Sequence, residues 1–155
     1  QYGGHRQAVG LRLNSARILE FRRHFESYVD NKLLSEDCVP RLQVDGELQF
    51  ASITPKFLRD LRLLEPYGVG NPRPVFVTSG VEIVDGPHTL KSDHLRMTLG
   101  QGGRRFRAIA WGAGPDKRRF QSRRRGLKVA FSVAENTYKD KTTTQLTIAE
   151  LQEDD

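Results

Sequence analysis

The sequence has one cysteine, Cys38, one tryptophan, Trp111, and no long apolar run. A lone cysteine excludes an intrachain disulfide, and together with the lack of a signal-peptide pattern it makes a reducing cytoplasm the expected compartment. No apolar stretch approaches the roughly 20 residues that a helix needs to span a bilayer, so no part of the chain is expected to cross a membrane. The four histidines, at 5, 24, 88 and 94, are scattered, and no second His or Cys stands at ligand spacing from any of them. His24 therefore reads as a partly exposed helical residue, and no metal site is expected. The chain also begins at Gln1 rather than Met, inside what reads as a motif, as a piece of a longer protein would.

What is present is charge, unevenly distributed. Hydrophobic residues make up 37% and charged residues 28% of the 155 positions, the composition of an ordinary soluble protein. Residues 91–128 hold 12 Lys/Arg against 2 Asp/Glu, whereas residues 1–90 are balanced and residues 129–155 are acidic. A basic block of that density meets a polyanion or forms a solvated face.

Residues 64–76, Leu-Glu-Pro-Tyr-Gly-Val-Gly-Asn-Pro-Arg-Pro-Val-Phe, concentrate 3 of the 7 prolines. Before this joint the apolar residues recur at helical spacing; after it they alternate. The change of period predicts two kinds of fold, with the joint as a rigid connector between them. If Tyr67 and Arg73 pack between the two lobes, the joint is architectural; if they are exposed, they line a ligand path.

Taken in order, Gly3-Gly4-His5 reads as a turn before a helix, or as a concavity of backbone N–H groups beside His5 and Arg6 suited to a phosphate. Asn14 or Ser15 caps a helix with Ile18, Phe21, Phe25, Val29 and Leu33 on a buried stripe. Asp45-Gly46 predicts a tight hairpin or a bulged strand. Thr54-Pro55 starts a second helix with Phe57, Leu58, Leu61 and Leu64 inward, ended by Pro66. Five strands follow: 75–84, with a turn at Asp85-Gly86-Pro87; 93–99; 104–111; 127–134; and 145–151. The insert at 115–126 adds a helix or loop, and 135–141 a connection. This is the layout of an OB-fold barrel.

Alternation puts Leu95, Met97, Leu99, Val129, Phe131 and Val133 inward, and His94, Arg96 and Thr98 outward. In the third strand Phe106, Ala108 and Ala110 share one face, and Arg105, Arg107, Ile109 and Trp111 the other. An exposed second face would offer guanidinium groups to phosphates and an indole to a base. The alternative is that Trp111 plugs the barrel, as a lone Trp in a small β-domain usually does. The insert arginines, 118, 119, 123, 124 and 125, would contact phosphate rather than bases.

Several segments together resemble the RecJ-type single-stranded-DNA-specific exonucleases of the DHH phosphoesterase superfamily. They are Gly3-Gly4-His5 with Ala8-Val9-Gly10-Leu11, the joint at 64–76, His94-Leu95-Arg96, Ile109-Ala110-Trp111, and Asn136, Tyr138, Leu146 and Ile148. The resemblance implies an α+β N-terminal segment, the end of a DHH-associated domain at 1–65. A connector at 66–74, an all-β OB-fold barrel at 75–151 and an acidic tail at 152–155 would follow. It further implies that Gly3, Gly4, His5 and Arg6 bind a substrate phosphate. DNA would lie along Arg96, Arg104, Arg105, Arg107, Trp111, Arg123, Arg124 and Lys139, and Mn2+ or Mg2+ would be held by the full-length protein. Single-stranded DNA is the expected partner, with other DNA-repair proteins as further partners. No Asp-His-His triplet occurs, so the fragment is expected to be inactive alone. A stand-alone OB module, or a barrel that meets an acidic protein, remains an alternative reading.

Overall fold

The computed structural model describes residues 2–5, 8–33, 39–91, 93–139 and 141–154, with the side chains of 137, 138 and 141 left aside. Cys38 and Arg6 lie outside the described residues. The chain divides into two compact units, Gln1–Leu42 and Gln43–Asp155. The division falls well before the 65/75 boundaries read from the sequence, so residues 43–74 belong with the barrel.

In the first unit, β1 (Tyr2–His5) pairs antiparallel with β2 (Ala8–Leu11), with Gly3 opposite Gly10 and Gly4 opposite Val9. Gly-Gly-His is thus a strand and not a turn. A Cβ built on Gly4 would overlap the Ala8 carbonyl oxygen, so the close crossing of the two strands requires glycine there. Asn14 caps the next turn as expected, its side chain accepting from Ala16 N at 3.0 Å. Helix α1 (Ile18–Asp30) follows. Arg17 Nε donates to Glu20 at 3.0 Å. That hydrogen bond, and secondarily the charge attraction, holds the Glu20 carboxyl below its ordinary range. The stripe expected to be buried is not: no α1 residue is buried, and Phe21 stacks on Phe25 at 5.8 Å. A four-residue ribbon has too little surface to cover a 13-residue helix.

In the second unit a mixed sheet closes on itself. Its strands are β4 (Phe76–Leu90), β5 (His94–Gln101), β6 (Arg104–Ala110), β7 (Leu127–Tyr138) and β8 (Lys141–Glu153). They lie in the order β4-β5-β6-β8-β7, and β7 returns to β4. All contacts are antiparallel except β6 to β8, which is parallel. This is the closed five-stranded OB fold. The residues expected inward are buried: Leu95, Met97, Leu99, Val129, Phe131 and Val133 are all at or below 1% exposure.

Closure depends on bending β4, whose first half pairs with β7 and whose second half pairs with β5. The expected turn at Asp85-Gly86-Pro87 is instead an irregularity within this strand. At Gly86, with φ +89°, a Cβ would stand 2.8 Å from the Arg96 carbonyl oxygen. Turn residues here make a bulge, as barrel corners require. Residues 135–138 likewise belong to a strand: β7 and β8 stay paired out to Tyr138 and Lys141. The polar β-branched run Thr142-Thr143-Thr144 favours strand without an apolar alternation to reveal it.

The segment before the barrel is part of its core. Asp45-Gly46 does not turn a hairpin; β3 (Gly46–Glu47) lies parallel to β4, with Asp45 accepting from Val75 N at 2.8 Å. A 3-10 turn (Phe50–Ser52) buries Phe50 completely. Helix α2 (Pro55–Arg62) starts at Thr54, whose hydroxyl accepts from Phe57 N at 3.2 Å. Phe57, Leu58 and Leu61 pack on the core as expected, but Leu64 lies beyond the helix and is 50% exposed. Within this unit Tyr67 is half-buried and Arg73 exposed. Arg73 stacks on Tyr67 at 4.4 Å and donates to Val133 O at 3.2 Å, while the Tyr67 hydroxyl donates to Leu61 O at 2.8 Å. The joint thus fastens α2 to β7.

Candidate nucleic-acid interface

The outer face of β5 and β6 is set by the turn that joins them. Gly102 and Gly103 both have positive φ, +55° and +78°, the conformation of a two-residue hairpin loop that closes Gln101 on Arg104. From that closure the register runs Gly100 to Arg105, Thr98 to Arg107 and Arg96 to Ile109. A slip of one residue would turn Arg96, Arg105 and Arg107 inward, so the apolar alternate residues Leu99, Phe106, Met97 and Ala108 enforce the register. Arg96, Arg104, Arg105 and Arg107 are all exposed. Among the described residues none of the four has an ion-pair or side-chain hydrogen-bond partner. The face continues onto β8 and β7, where Arg107 lies opposite Gln145, which accepts from Asn136 Nδ2 at 3.3 Å.

Trp111 ends this face. It is 58% exposed, so it does not plug the barrel, and it meets the His94 ring at 4.8 Å with planes 75° apart. The arrangement offers charged donors for phosphate oxygens along the strands and an aromatic surface for a base at one end. The His94 contact was not anticipated from the sequence. Counting back across the Gly102-Gly103 turn, which sets 94 opposite 111, would have found it.

The insert behaves differently. Its helix α3 (Lys117–Ser122) buries Phe120. Arg119 donates to Leu151 O at 3.3 Å, Arg123 forms an ion pair with Glu153, and Arg125 pairs with Glu82 at 3.4 Å. Arg124 Nε donates to Ile83 O at 3.2 Å and its Nη2 to Val84 O at 3.3 Å. Arg123 and Arg124, read from sequence as DNA contacts, thus have acidic or backbone partners within the fold. The acidic tail takes part, since the Asp154 carboxylate accepts from Ser79 Oγ at 2.8 Å and Gly80 N at 3.1 Å. Arg124→Ala is expected to lower stability by about 1 kcal/mol, because two carbonyls of β4, one of them part-buried, lose a charged donor. A thermal melt measures this, and an unchanged melting temperature would contradict the stitching role.

The remaining sequence-derived candidates are placed as follows. Gly3, Gly4 and His5 lie exposed along β1, and Arg6 is outside the described residues. Lys139 is exposed in the β7–β8 turn with φ +48°. Among the described residues no three His, Cys, Asp or Glu side chains converge on a common point. Among the described residues no helix is long and apolar enough to cross a membrane.

Residues 44–150 match the family described as the RecJ OB domain. The single-stranded-DNA-specific exonuclease RecJ of Thermus thermophilus is 35% identical over 80 residues, 52% of this chain and 12% of that protein. The protein of the same name from Bacillus subtilis is 27% identical over 99 residues, 63% of this chain and 13% of that one. The crystal structure of T. thermophilus RecJ in complex with Mg2+ aligns with 99% of this chain and 23% of its own at a TM-score of 0.75 and 27% identity. This chain therefore spans about an eighth of the curated relatives it matches. The family match begins at residue 44, next to the observed division at 42/43, and takes in β3, the Phe50 turn and α2 together with the barrel. A closed β4-β5-β6-β8-β7 barrel, a family match over more than two-thirds of the sequence and a whole-chain structural likeness agree: the chain belongs to the RecJ OB domain family.

Proposed function

We propose that this chain is the DNA-holding portion of a RecJ-like exonuclease, and that single-stranded DNA runs along the outer face of β5 and β6. The observation that carries this is the contrast between the arginines. Those on β5 and β6 are exposed with no partner among the described residues, whereas four of the five in the insert are engaged within the fold. Charge left unneutralised on a barrel face next to an accessible indole suits a flexible polyanion with unpaired bases. The relatives are named as single-stranded-DNA-specific exonucleases, which favours DNA over an acidic protein as the partner.

In the full-length protein this portion would orient DNA for 5′-to-3′ hydrolysis in repair and recombination in the cytoplasm. Mn2+ or Mg2+, with each of which T. thermophilus RecJ has been crystallised, would be held by ligands that the described residues of this chain do not supply. Gly3, Gly4, His5 and Arg6 would meet a substrate phosphate. The β1 backbone at Gly3 is open, with no atom within 4 Å of a built Cβ, so a phosphate oxygen can come close to it.

Fluorescence anisotropy with a labelled oligo-dT tests the proposal. Four phosphate contacts, at a slope of about −0.7 each for single strands, give a log–log salt slope near −3. Binding with no salt dependence, or none at low salt, would overturn the electrostatic face. In the same solution with manganese the oligonucleotide is expected to keep its length, and shortening would reveal a metal site in this chain.

A further inference from the structure

We infer that His94 is a positioning residue, which fixes the Trp111 indole so that an unpaired base stacks on it at one end of the β5–β6 face. This rests on the reading of that face as a single-stranded DNA track. Trp111 is the last outward residue in line with β6, and the chain turns immediately after it at Gly112, φ +67°. A half-exposed aromatic side chain at the frayed end of a strand would ordinarily sample several rotamers, and stacking would have to select one. Here the end is pinned. Gly112 N donates to His94 Nδ1 at 3.1 Å, and Gly114 N donates to Asp93 O at 3.0 Å. The crossing is so close that a Cβ on Gly114 would stand 3.0 Å from Asp93 Cα.

The hydrogen bond also assigns the tautomer. An Nδ1 that accepts an N–H leaves the proton of the neutral imidazole on Nε2. One ring thus performs two tasks. It anchors the backbone after Trp111 through Nδ1 and braces the indole edge-to-face at 4.8 Å, while the indole remains 58% exposed to a ligand. The chemistry recognised is the π-face of any base, so the site adds affinity for bases without sequence preference.

Trp111 is the only tryptophan, so its fluorescence reports this corner alone. Oligo-dT and an abasic oligonucleotide of equal length are titrated into the wild-type chain, His94→Ala, His94→Asn and Trp111→Ala. Wild type is expected to bind dT more tightly than the abasic strand, with quenching by dT alone. In His94→Ala the free-protein anisotropy of Trp111 falls, and the dT-over-abasic preference drops by about two- to tenfold toward that of Trp111→Ala, with abasic affinity and salt slope unchanged. His94→Asn keeps a carbonyl that can accept from Gly112 N and is expected to restore part of both signals. It also serves as the folded reference should His94→Ala melt. Binding of both strands with a preference unaltered by His94→Ala, or unaltered by His94→Asn where the alanine variant does not fold, overturns this inference and leaves the DNA track standing. Binding of neither strand overturns both.

Discussion

Replacing Arg105 and Arg107 together with alanine is expected to weaken oligo-dT binding by about 25-fold at 0.1 M salt and to make the log–log salt slope shallower by about 1.4. The number follows from counterion release. Each phosphate contact to a single strand contributes a slope near −0.7, which at 0.1 M salt is about fivefold in affinity per contact. Both residues are exposed, two positions apart on β6, so their guanidinium groups leave the same face about 7 Å apart along the strand. Neither is tied up inside the fold among the described residues, so the substitutions remove charge without removing packing. The informative control is Arg123→Ala with Arg124→Ala. These remove the same formal charge, but from the ion pair with Glu153 and from the carbonyls of Ile83 and Val84. Their effect belongs in the melting curve, with the slope little changed. Equal slope changes in the two double variants would mean that net charge, and not the β5–β6 face, governs binding.

That contrast also marks how far the sequence could be read. The five strands and their inward residues were legible because one face of each strand is apolar and period two cannot be confused with a helix where Leu95, Met97 and Leu99 alternate with His94, Arg96 and Thr98. The β5–β6 turn falls in the gap between the strands expected at 93–99 and 104–111, where Gly102 and Gly103 supply two adjacent positive-φ residues. From these two readings the exposed arginines of β6 follow. The insert arginines look identical in sequence. Whether a guanidinium is free depends on which carbonyl or carboxylate the fold brings to it, and Glu153, Glu82 and Ile83 are 30, 43 and 41 positions away from Arg123, Arg125 and Arg124.

Other misreadings share a cause. Gly86-Pro87 carries turn chemistry but serves a bulge, since barrel closure demands a bend where sequence alone offers only a break. The threonine-rich end of β8 has strand propensity but no buried face, so it lacked the alternation that identified its neighbours. The α1 stripe has the right period for burial, yet period says only that a face is apolar, not that the chain supplies its cover.

Phe50→Ala is expected to lower stability by about 3–5 kcal/mol and the melting temperature by on the order of 15 °C or more, the largest effect of any single truncation considered. Nothing in the sequence around it reads as barrel, since Phe50 precedes the first barrel strand by 26 positions and lies in a short 3-10 turn. Yet it is fully buried, with its ring edge-on to Phe106 at 5.3 Å and to Phe131 at 5.7 Å, and its backbone N–H donates to Gln101 Oε1 at 2.7 Å. Gln101 in turn donates to Thr78 Oγ1 and Ser79 O, so the amide links the 3-10 turn, β4 and the end of β5. Removing the ring leaves a cavity against two phenylalanines on separate strands and weakens the support beneath Phe106, the neighbour of both Arg105 and Arg107. The same reasoning predicts that residues 43–155 fold as a unit, whereas 75–155, which lack Phe50 and its buried neighbours Leu48 and Ile53, do not melt cooperatively. A cooperative transition in the shorter piece, or a Phe50→Ala melt within about 3 °C of wild type, would mean that the barrel closes without its plug. A loss as large as expected places the working boundary of the DNA-holding unit before the joint, where the fold puts it, because the register that points the arginines outward rests on a core that this earlier segment completes.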